Sequence, residues 1–347
     1  MKSHKAPKGL FVGVDVGGTK VAVLVVDAGY QVCGYTNVAT LLDGPQKTLA
    51  GIAGAIRRGV ELAGASMSDV SAVGLGVPGR VDPKTGLVRQ AVNLGWEELQ
   101  AGEMLSAQLG VPCLLENDVR LAALGVQRHL GTASSQNMAY VSIGTGIAAG
   151  LVLNGRIYRG AHGMAGEIGH MIVDPNGPLC LCGAHGCLEA LAAGPAIARL
   201  GEEAAKAEGD TLLRNYLPMT AKAVYEAATA GDAAARAIVR QVSRYLALAL
   251  QHLIVTYDVE RIVLGGGVAR DRDAFLQPIL TELERLWQDS MLAGETLQPD
   301  MIGLLPLDYD AGTWGAVVLA SGSLARVHPP LPEIREGGEE LQSIYVI

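Results

Sequence analysis

Short apolar runs separated by glycine-rich turns dominate the first forty residues of the chain. The run at 10–16 is followed by Gly-Gly-Thr-Lys, then by a second run at 21–26 and a third at 31–37. Valine-rich runs of this length predict β-strands, and residues 17–20 predict the hairpin turn between the first two. The backbone N–H groups of such a turn can approach a phosphate, although an ordinary hairpin is the simpler interpretation of this turn taken alone.

The same order of strands and turns returns near the middle of the chain. An apolar run at 138–143 leads through Gly-Thr-Gly at 144–146 into a second run at 147–153, and Asn-Gly precedes a third run at 156–159. Two such sets predict a duplicated α/β fold whose halves close on a shared cleft, with a glycine turn from each half facing a phosphate. Chance remains an alternative, because Asn-Gly turns and apolar strands are common.

The rest of the chain alternates helical periodicity with short apolar runs. Apolar positions recur every three to four residues in the second half, where Asp232 is the expected N-cap of a long helix ending near residue 256. The predicted helices cover 46–63, 99–109, a segment beginning near 119, 192–209, 219–230 and 313–324, and the further strands cover 70–77, 111–115 and 261–264.

Polar or flexible residues follow two of these strands directly. Gly79 lies in a Pro-Gly turn after 70–77, and Asn117 and Asp118 follow 111–115. Ligands of α/β sheets bind beyond the carboxyl ends of strands, so these residues are candidate binding groups. A structural turn at Gly79 and a helix cap at Asn117 or Asp118 are equally good or better explanations of these residues alone.

A dense group of metal-ligating residues occupies 163–189. His170, Cys180, Cys182 and Cys187 supply the four ligands of a closed tetrahedral zinc site, and His185 is the rival to His170. Unconnected thiols beside a surface histidine are the alternative. A metal here would fix a loop that also carries Glu167 and Glu189.

Composition narrows the class of protein. Hydrophobic residues make up 49% of the 347, but no apolar run reaches the length of a membrane span. The net charge of -8, without a basic stripe, argues against a nucleic-acid partner. An aspartate interrupts the first apolar run where a signal peptide would need an uninterrupted core, so we expect a cytoplasmic protein, and five cysteines argue against a disulfide framework.

These motifs together resemble the ROK family of sugar kinases, within the actin-like, sugar-kinase and heat-shock ATPase fold. The resemblance covers residue 13 to about 324, and its most specific part is the sequence from Cys180 to Glu189. It implies a two-lobed α/β fold with an interlobe cleft. The small lobe would comprise 1–118 completed by a helix at 311–326, the large lobe 119–310, and a tail 327–347.

The resemblance also implies phosphorylation of a hexose by ATP with magnesium. Asp118 would be the general base, while the zinc would be structural, with His170 contacting both zinc and sugar. Glucose is the first expectation, with fructose, mannose, allose and N-acetylhexosamines as alternatives, and a homodimer or dimer of dimers is the expected assembly. The implied sugar ligands are Gly79, Asn117, Asp118, Glu167, His170 and Glu189, and the implied nucleotide and magnesium residues are Asp15, Gly18, Thr19, Lys20, Thr145, Gly146, Gly266 and Gly267.

The chain departs from the family pattern at two places. Val119-Arg120-Leu121 replaces small residues after Asp118, and residues 311–315 carry Trp314 in place of a smaller aliphatic sequence. We therefore expect changed helix packing below the base and a changed nucleotide pocket. Three other interpretations are a sugar-responsive repressor, a catalytically silent sugar sensor, and a redox protein built on Cys180 and Cys182. The repressor is the least expected of the three, because the roughly ten residues before the first strand leave no room for a helix-turn-helix.

Overall fold

The structure, a computed structural model, describes residues 9–131, 135–288, 290 and 301–322. Within them the first half of the chain builds one five-stranded sheet, a small three-stranded sheet and three helices. In chain order the elements are β1 Leu10–Val16, β2 Lys20–Val26, β3 Val32–Ala39, α1 Pro45–Leu62, β4 Val70–Val77, β5 Arg80–Asp82, β6 Leu87–Ala91, β7 Trp96–Leu99, α2 Ala101–Leu109, β8 Cys113–Asn117 and α3 Asp118–Leu130.

The second half builds another five-stranded sheet with helices around it. Its elements are β9 Met138–Ile143, β10 Ile147–Leu153, β11 Arg156–Tyr158, α4 Leu188–Ala192, α5 Gly194–Lys206, α6 Ala221–Thr229, α7 Ala233–Tyr257, β12 Arg261–Gly265, α8 Asp273–Trp287, β13 Ile302–Leu304 and α9 Ala311–Ser321.

The two large sheets have the same topology. The strand order is β3-β2-β1-β4-β8 in the first and β11-β10-β9-β12-β13 in the second. In each, the first strand in sequence pairs antiparallel with the next and parallel with the strand on its other side. The predicted duplication is therefore correct, and each glycine-rich turn connects the two leading strands of its own sheet.

Two helices lie between the sheets. Helix α9 packs on the first sheet so closely that a Cβ on Gly13 would lie 2.1 Å from the Thr313 carbonyl oxygen, and α3 packs on Gly150 of β10 in the same way. Where the helices cross, a Cβ on Gly315 would lie 1.7 Å from the Leu121 carbonyl oxygen. The outer faces of the sheets are covered by α1 and α2 in one lobe and by α4 to α8 in the other.

Several predicted boundaries need correction. The helix expected at 192–209 is α5, which begins two residues later, at Gly194, and ends three residues earlier, at Lys206. The short helix α4, which ends at Ala192, was not predicted. The strands β5 to β7, helix α8 and strand β13 were not predicted. Helix α9 begins two residues earlier than expected, and residues 323–326 and the tail 327–347 lie outside the described residues. Within the described residues no helix is long and apolar enough to cross a membrane.

Candidate active site

A cavity of about 380 Å³ opens between the two lobes. Its walls come from strands of both sheets and from the first residues of α3 and α9, so the duplicated topology creates it. Among its lining residues, those with ionisable or polar side chains include Asp15, Lys20, Tyr35, Asp118, Tyr140, Ser142, Arg270, Asp308, Tyr309 and Asp310. The predicted Asp15, Lys20 and Asp118 are thus brought together from positions about 100 residues apart.

Asp118 begins α3 directly after β8. Its Oδ1 accepts hydrogen bonds from the backbone N–H of Val119 at 2.9 Å and from the Asn117 side-chain amide at 3.0 Å. Burial is the largest cause of the raised pKa of Asp118, and the charge of Glu167 adds to it, whereas the backbone N–H groups of Val119 and Asp118 and the charge of Arg120 lower it. The charge of Glu167 therefore acts on the candidate base, although Glu167 is not among the residues that line the cavity.

Asp15 also lines the cavity, near the end of β1 in the same sheet as β8. Burial, together with the charges of Asp118 and Asp310, raises its pKa to about 7, and Lys20 opposes the shift. A Cβ on Gly312 would lie 2.8 Å from the Asp15 Cγ, so the start of α9 has to be glycine to fit against this carboxylate. Three carboxylates with one lysine make a site suited to a divalent cation carrying phosphate groups.

Asn117 caps helix α3, which is the role that its position in the sequence favours. Its Oδ1 accepts a hydrogen bond from the Arg120 backbone N–H at 3.1 Å and caps α3, while its amide donates to the Gly79 carbonyl at 3.2 Å. Gly79 has φ +91°, and a Cβ there would lie 2.1 Å from the Gln90 carbonyl oxygen. Glycine is therefore required at this turn by packing, and the two residues form one rigid wall beside Asp118.

A buried ion-pair cluster behind this wall was not predicted from sequence. Glu116 is fully buried, and its two oxygens accept from Arg120 Nη1 at 3.5 Å and from Arg159 Nε at 2.6 Å. Arg120 also donates to the Gly163 carbonyl at 2.5 Å. Arg120 is one of the residues that depart from the family pattern after Asp118. Its guanidinium connects the segment 159–163, from the second lobe, to Glu116 in β8.

Glu167 and His170 follow that segment in a loop pressed against β10. A Cβ on Gly166 would lie 1.9 Å from the Ala149 carbonyl oxygen, and one on Gly169 would lie 2.2 Å from the Ile147 carbonyl oxygen. Both glycines are therefore required, and they hold the backbone that carries Glu167 and His170 against β10. Glu189, at the start of α4, accepts from the Ile147 backbone N–H at 2.9 Å, next to the Gly146 turn.

The four predicted metal ligands converge. His170 Nδ1, Cys180 Sγ, Cys182 Sγ and Cys187 Sγ all lie within 4.8 Å of one another. The Nδ1 to Cys180 Sγ distance is 3.8 Å and the Cys182 to Cys187 sulfur distance is 3.6 Å. A tetrahedral zinc with Zn–S bonds of about 2.3 Å requires ligand atoms about 3.8 Å apart, so the geometry suits zinc. The rival ligand His185 instead has its Nδ1 3.2 Å from the Gly177 carbonyl oxygen.

The glycine loops occupy different positions around the cleft. Gly266 and Gly267 line a second cavity of about 250 Å³, which shares Arg270, Leu305, Leu307 and Tyr309 with the main cavity. Gly18 and Thr19 lie in the turn between β1 and β2, beside Lys20. Thr145 and Gly146 do not appear in the walls of the main cavity; their turn lies against Glu189 and near Gly267. Asp310, Tyr309 and Arg270 are lining residues that sequence analysis did not identify.

Comparison with known proteins gives this fold and site a family. Residues 11–323 match the model of the ROK family. The chain is 35% identical over 280 residues to a glucokinase of Halalkalibacterium halodurans, covering 79% of this chain and 85% of the relative, and 32% identical to an N-acetylmannosamine kinase of Yersinia pestis, covering 75% and 83%. A ROK family glucokinase from Streptomyces griseus, solved in complex with glucose and AMPPNP, matches with TM-score 0.74 and 31% identity over 90% of this chain and all of that one.

The chain is therefore a member of the ROK family, and the predicted two-lobed, actin-like sugar-kinase fold is confirmed. The relatives named here, with identities of 31–35% over the aligned residues, are two glucokinases and an N-acetylmannosamine kinase.

Proposed function

We propose that this protein is an ATP-dependent hexose kinase that transfers the terminal phosphoryl group of ATP to a sugar hydroxyl, with glucose as the expected substrate. The observation that carries the proposal is the position of Asp118. Asp118 lines the interlobe cavity. Its charge raises the pKa of Asp15, and the charge of Glu167 raises the pKa of Asp118. The similarity to glucokinases at 35% identity supports glucose over the alternatives.

Each group near Asp118 has a task in this reaction. The Asp118 carboxylate accepts the proton of the attacking sugar hydroxyl, and its hydrogen bonds from Val119 N–H and the Asn117 amide hold it in one orientation. Glu167 and His170, with Glu189, Asn117 and Gly79 behind them, would hold the sugar hydroxyls, since carboxylates and imidazole accept from such donors. The division of the chain at residue 118, with α9 completing the small lobe, belongs to the same proposal.

The nucleotide would occupy the other side of the cleft. Gly266 and Gly267 line the cavity that shares wall residues with the main cavity, and small residues there let a nucleotide lie against the backbone. Lys20, with the turn residues Gly18 and Thr19, would face phosphate oxygens, and the Thr145-Gly146 turn would lie beside them. Magnesium held at Asp15 would supply positive charge to the transferring phosphoryl group.

Zinc would serve structure rather than chemistry. The set His170, Cys180, Cys182 and Cys187 leaves no open ligand position, which is typical of structural sites. Because His170 uses Nδ1 toward the cluster, its Nε2 is free to contact a sugar hydroxyl, and the metal would fix the orientation of the ring.

The proposal is tested by the Asp118→Asn variant and a panel of hexoses. In a coupled assay of ADP release we expect glucose to give the highest kcat/KM. The variant should bind glucose in calorimetry but turn over about 10²- to 10⁴-fold more slowly, since only the proton acceptor is lost. Binding without turnover in the wild type would identify a sugar sensor instead, and a preference for N-acetylmannosamine would replace glucose as the substrate.

A further inference from the structure

A further polar cavity, of about 400 Å³ and distinct from the two at the candidate active site, lies between the β5–β6 hairpin and the segment 159–163. The hairpin belongs to the first half of the chain and the segment to the second, so the cavity spans the two lobes. Five of its lining residues are basic, and we call it the cationic pocket: Arg80, Lys84, Arg89, Arg120 and Arg159.

The charges of this pocket are incompletely balanced. Within the described ranges neither Arg80 nor Lys84 has a carboxylate oxygen within 4.0 Å of its charged group. Arg89 is 3.8 Å from Glu98, but both side chains are about half exposed, so the pair is weak. Asp82 also lines the pocket, and its Oδ1 accepts the Lys84 backbone N–H at 3.0 Å. A surplus of positive charge in a chain of net charge -8 requires a specific explanation.

The back of the pocket is rigid. Glu116 fixes Arg120 and Arg159, and Arg120 is held a second time by the Gly163 carbonyl. Arg159 keeps 38% of its side chain exposed, so a ligand can reach it without breaking the buried cluster. Guanidinium groups held in place bind phosphate with more than one hydrogen bond and lose little side-chain entropy in doing so.

We propose that the cationic pocket binds the phosphate group of a small anion, inorganic phosphate or a sugar phosphate ester, and that this binding strengthens sugar binding. An anion contacting Arg80 and Arg89 from the first half of the chain and Arg159 from the second would join the two lobes. The coupling rests on the proposed function, because Glu116, which holds Arg159, precedes Asn117 and Asp118 and accepts the Asn117 backbone N–H at 2.9 Å. Phosphate binding itself does not rest on it.

The first experiment measures phosphate binding to the full-length protein by calorimetry, at constant ionic strength, with inorganic phosphate and with glucose 6-phosphate in separate titrations. We expect saturable binding that weakens about tenfold or more in the Arg80→Gln/Arg89→Gln double variant, since each lost guanidinium removes charge-assisted hydrogen bonds. The Arg199→Gln variant, which removes an exposed arginine of α5, is the control and should bind phosphate normally. Unchanged binding in the double variant, or no saturable binding of either probe to the wild type, would overturn the proposal.

The second experiment measures the coupling. With phosphate present we expect the glucose Kd of the wild type to fall about threefold to tenfold, the usual range of coupling between sites, and that of the double variant to stay constant. If inorganic phosphate binds more tightly than glucose 6-phosphate, the free anion is the ligand of the pocket. If glucose 6-phosphate binds more tightly, the ligand is the sugar phosphate that the proposed reaction produces. If phosphate binds but the glucose Kd is unchanged, the coupling is wrong; if glucose does not bind at all, the proposed function fails and the anion site stands.

Discussion

Asp118 and Glu167 form an electrostatic pair at the proposed reaction centre. Burial is the larger cause of the raised pKa of Asp118, and the Glu167 charge adds to it. A base must be ionised to accept a proton, so kcat should fall as the pH decreases through this raised pKa. We expect the acid limb of the kcat profile at saturating sugar to lie above the usual range of a carboxyl group and to move to lower pH in Glu167→Gln. A limb that stays in place would remove Glu167 from the surroundings of the base.

Asp15 gives a second prediction, for stability. Its pKa rises to about 7 on folding because of burial and the neighbouring Asp118 and Asp310, so the folded state holds a proton that the unfolded state has released. The free energy of unfolding should therefore decrease as the pH rises from about 4 to about 7, by a few kcal/mol at most. In urea unfolding Asp15→Asn should lack this decrease, whereas Asp43→Asn, at an exposed ion pair, should keep it. If the free energy of unfolding decreased equally with pH in the two variants, Asp15 would not be the group responsible for the decrease.

The sequence indicates candidate residues of the site more readily than the contacts that position them. Asp118, Glu167 and the four residues of the proposed metal cluster stand out because each belongs to a compact motif, and the structure places Asp118 in the interlobe cavity and brings the four cluster residues together. The cluster of Glu116 with Arg120 and Arg159 joins positions up to 43 residues apart, and one sequence contains no signal for such a pair. Arg120 was noted only as a departure from the family pattern, without its role.

At the scale of elements, the contact of α3 with α9 determines how the two lobes meet. Gly125 and Gly315 allow the helices to touch through their backbones, and a Cβ at Gly315 would lie 1.7 Å from the Leu121 carbonyl oxygen. We expect Gly315→Ala to lower the free energy of unfolding by about 1–3 kcal/mol or more, since only a shift of the helices can relieve the overlap. Denaturant unfolding measures this change directly.

Gly54→Ala in α1 is the matched control, because the added methyl group would meet nothing within 4 Å. That variant should be stabilised by about 0.5–1 kcal/mol, the ordinary helical preference of alanine over glycine. Similar losses in both variants would show that the contact between α3 and α9 does not carry the effect.

Elements with a strong pattern were predicted with accurate ends. Strands β4, β9 and β10 match the predicted ranges because they are nearly continuous apolar runs buried inside a sheet. Strands β5 to β7 were missed because they are three to five residues long and about half of their positions are exposed to solvent. Helix α8 has Pro278 in its interior, a residue that argues against a helix when read from sequence alone.

At the scale of the whole molecule, the repeated hairpin pattern predicted the duplication, and the structure extends it to two five-stranded sheets of equal order. What the repeat could not predict is the difference between the halves. The first carries the β5–β7 sheet, and the second carries the cysteine loop and most of the helices. The proposed sugar ligands Glu167 and His170 therefore lie in a loop added to the two equivalent sheets, while Asp15 and Asp118 lie in or directly after strands of the first sheet.

This division predicts how loss of the metal would spread through the molecule. The cluster formed by His170 and the three cysteines supports the loop that holds Glu167 and His170, whereas the proposed nucleotide wall at Gly266 and Gly267 follows β12. Cys182→Ser should lower zinc content and thermal stability, and it should weaken glucose binding about tenfold to a hundredfold, since misplaced ligand groups cost that much. The affinity for an ATP analogue should stay within about twofold of the wild type, because the sheet that carries that wall is intact.

Cys33→Ser is the control for this experiment, because Cys33 lies in β3, outside the metal cluster. It should keep its zinc, its thermal stability and both affinities. Normal glucose affinity in a zinc-free Cys182→Ser protein would show that the loop keeps its conformation without the metal. Equal loss of glucose and nucleotide binding would instead show that the cluster supports the whole lobe, because local disorder in one loop cannot reach a wall built by a different strand of the sheet.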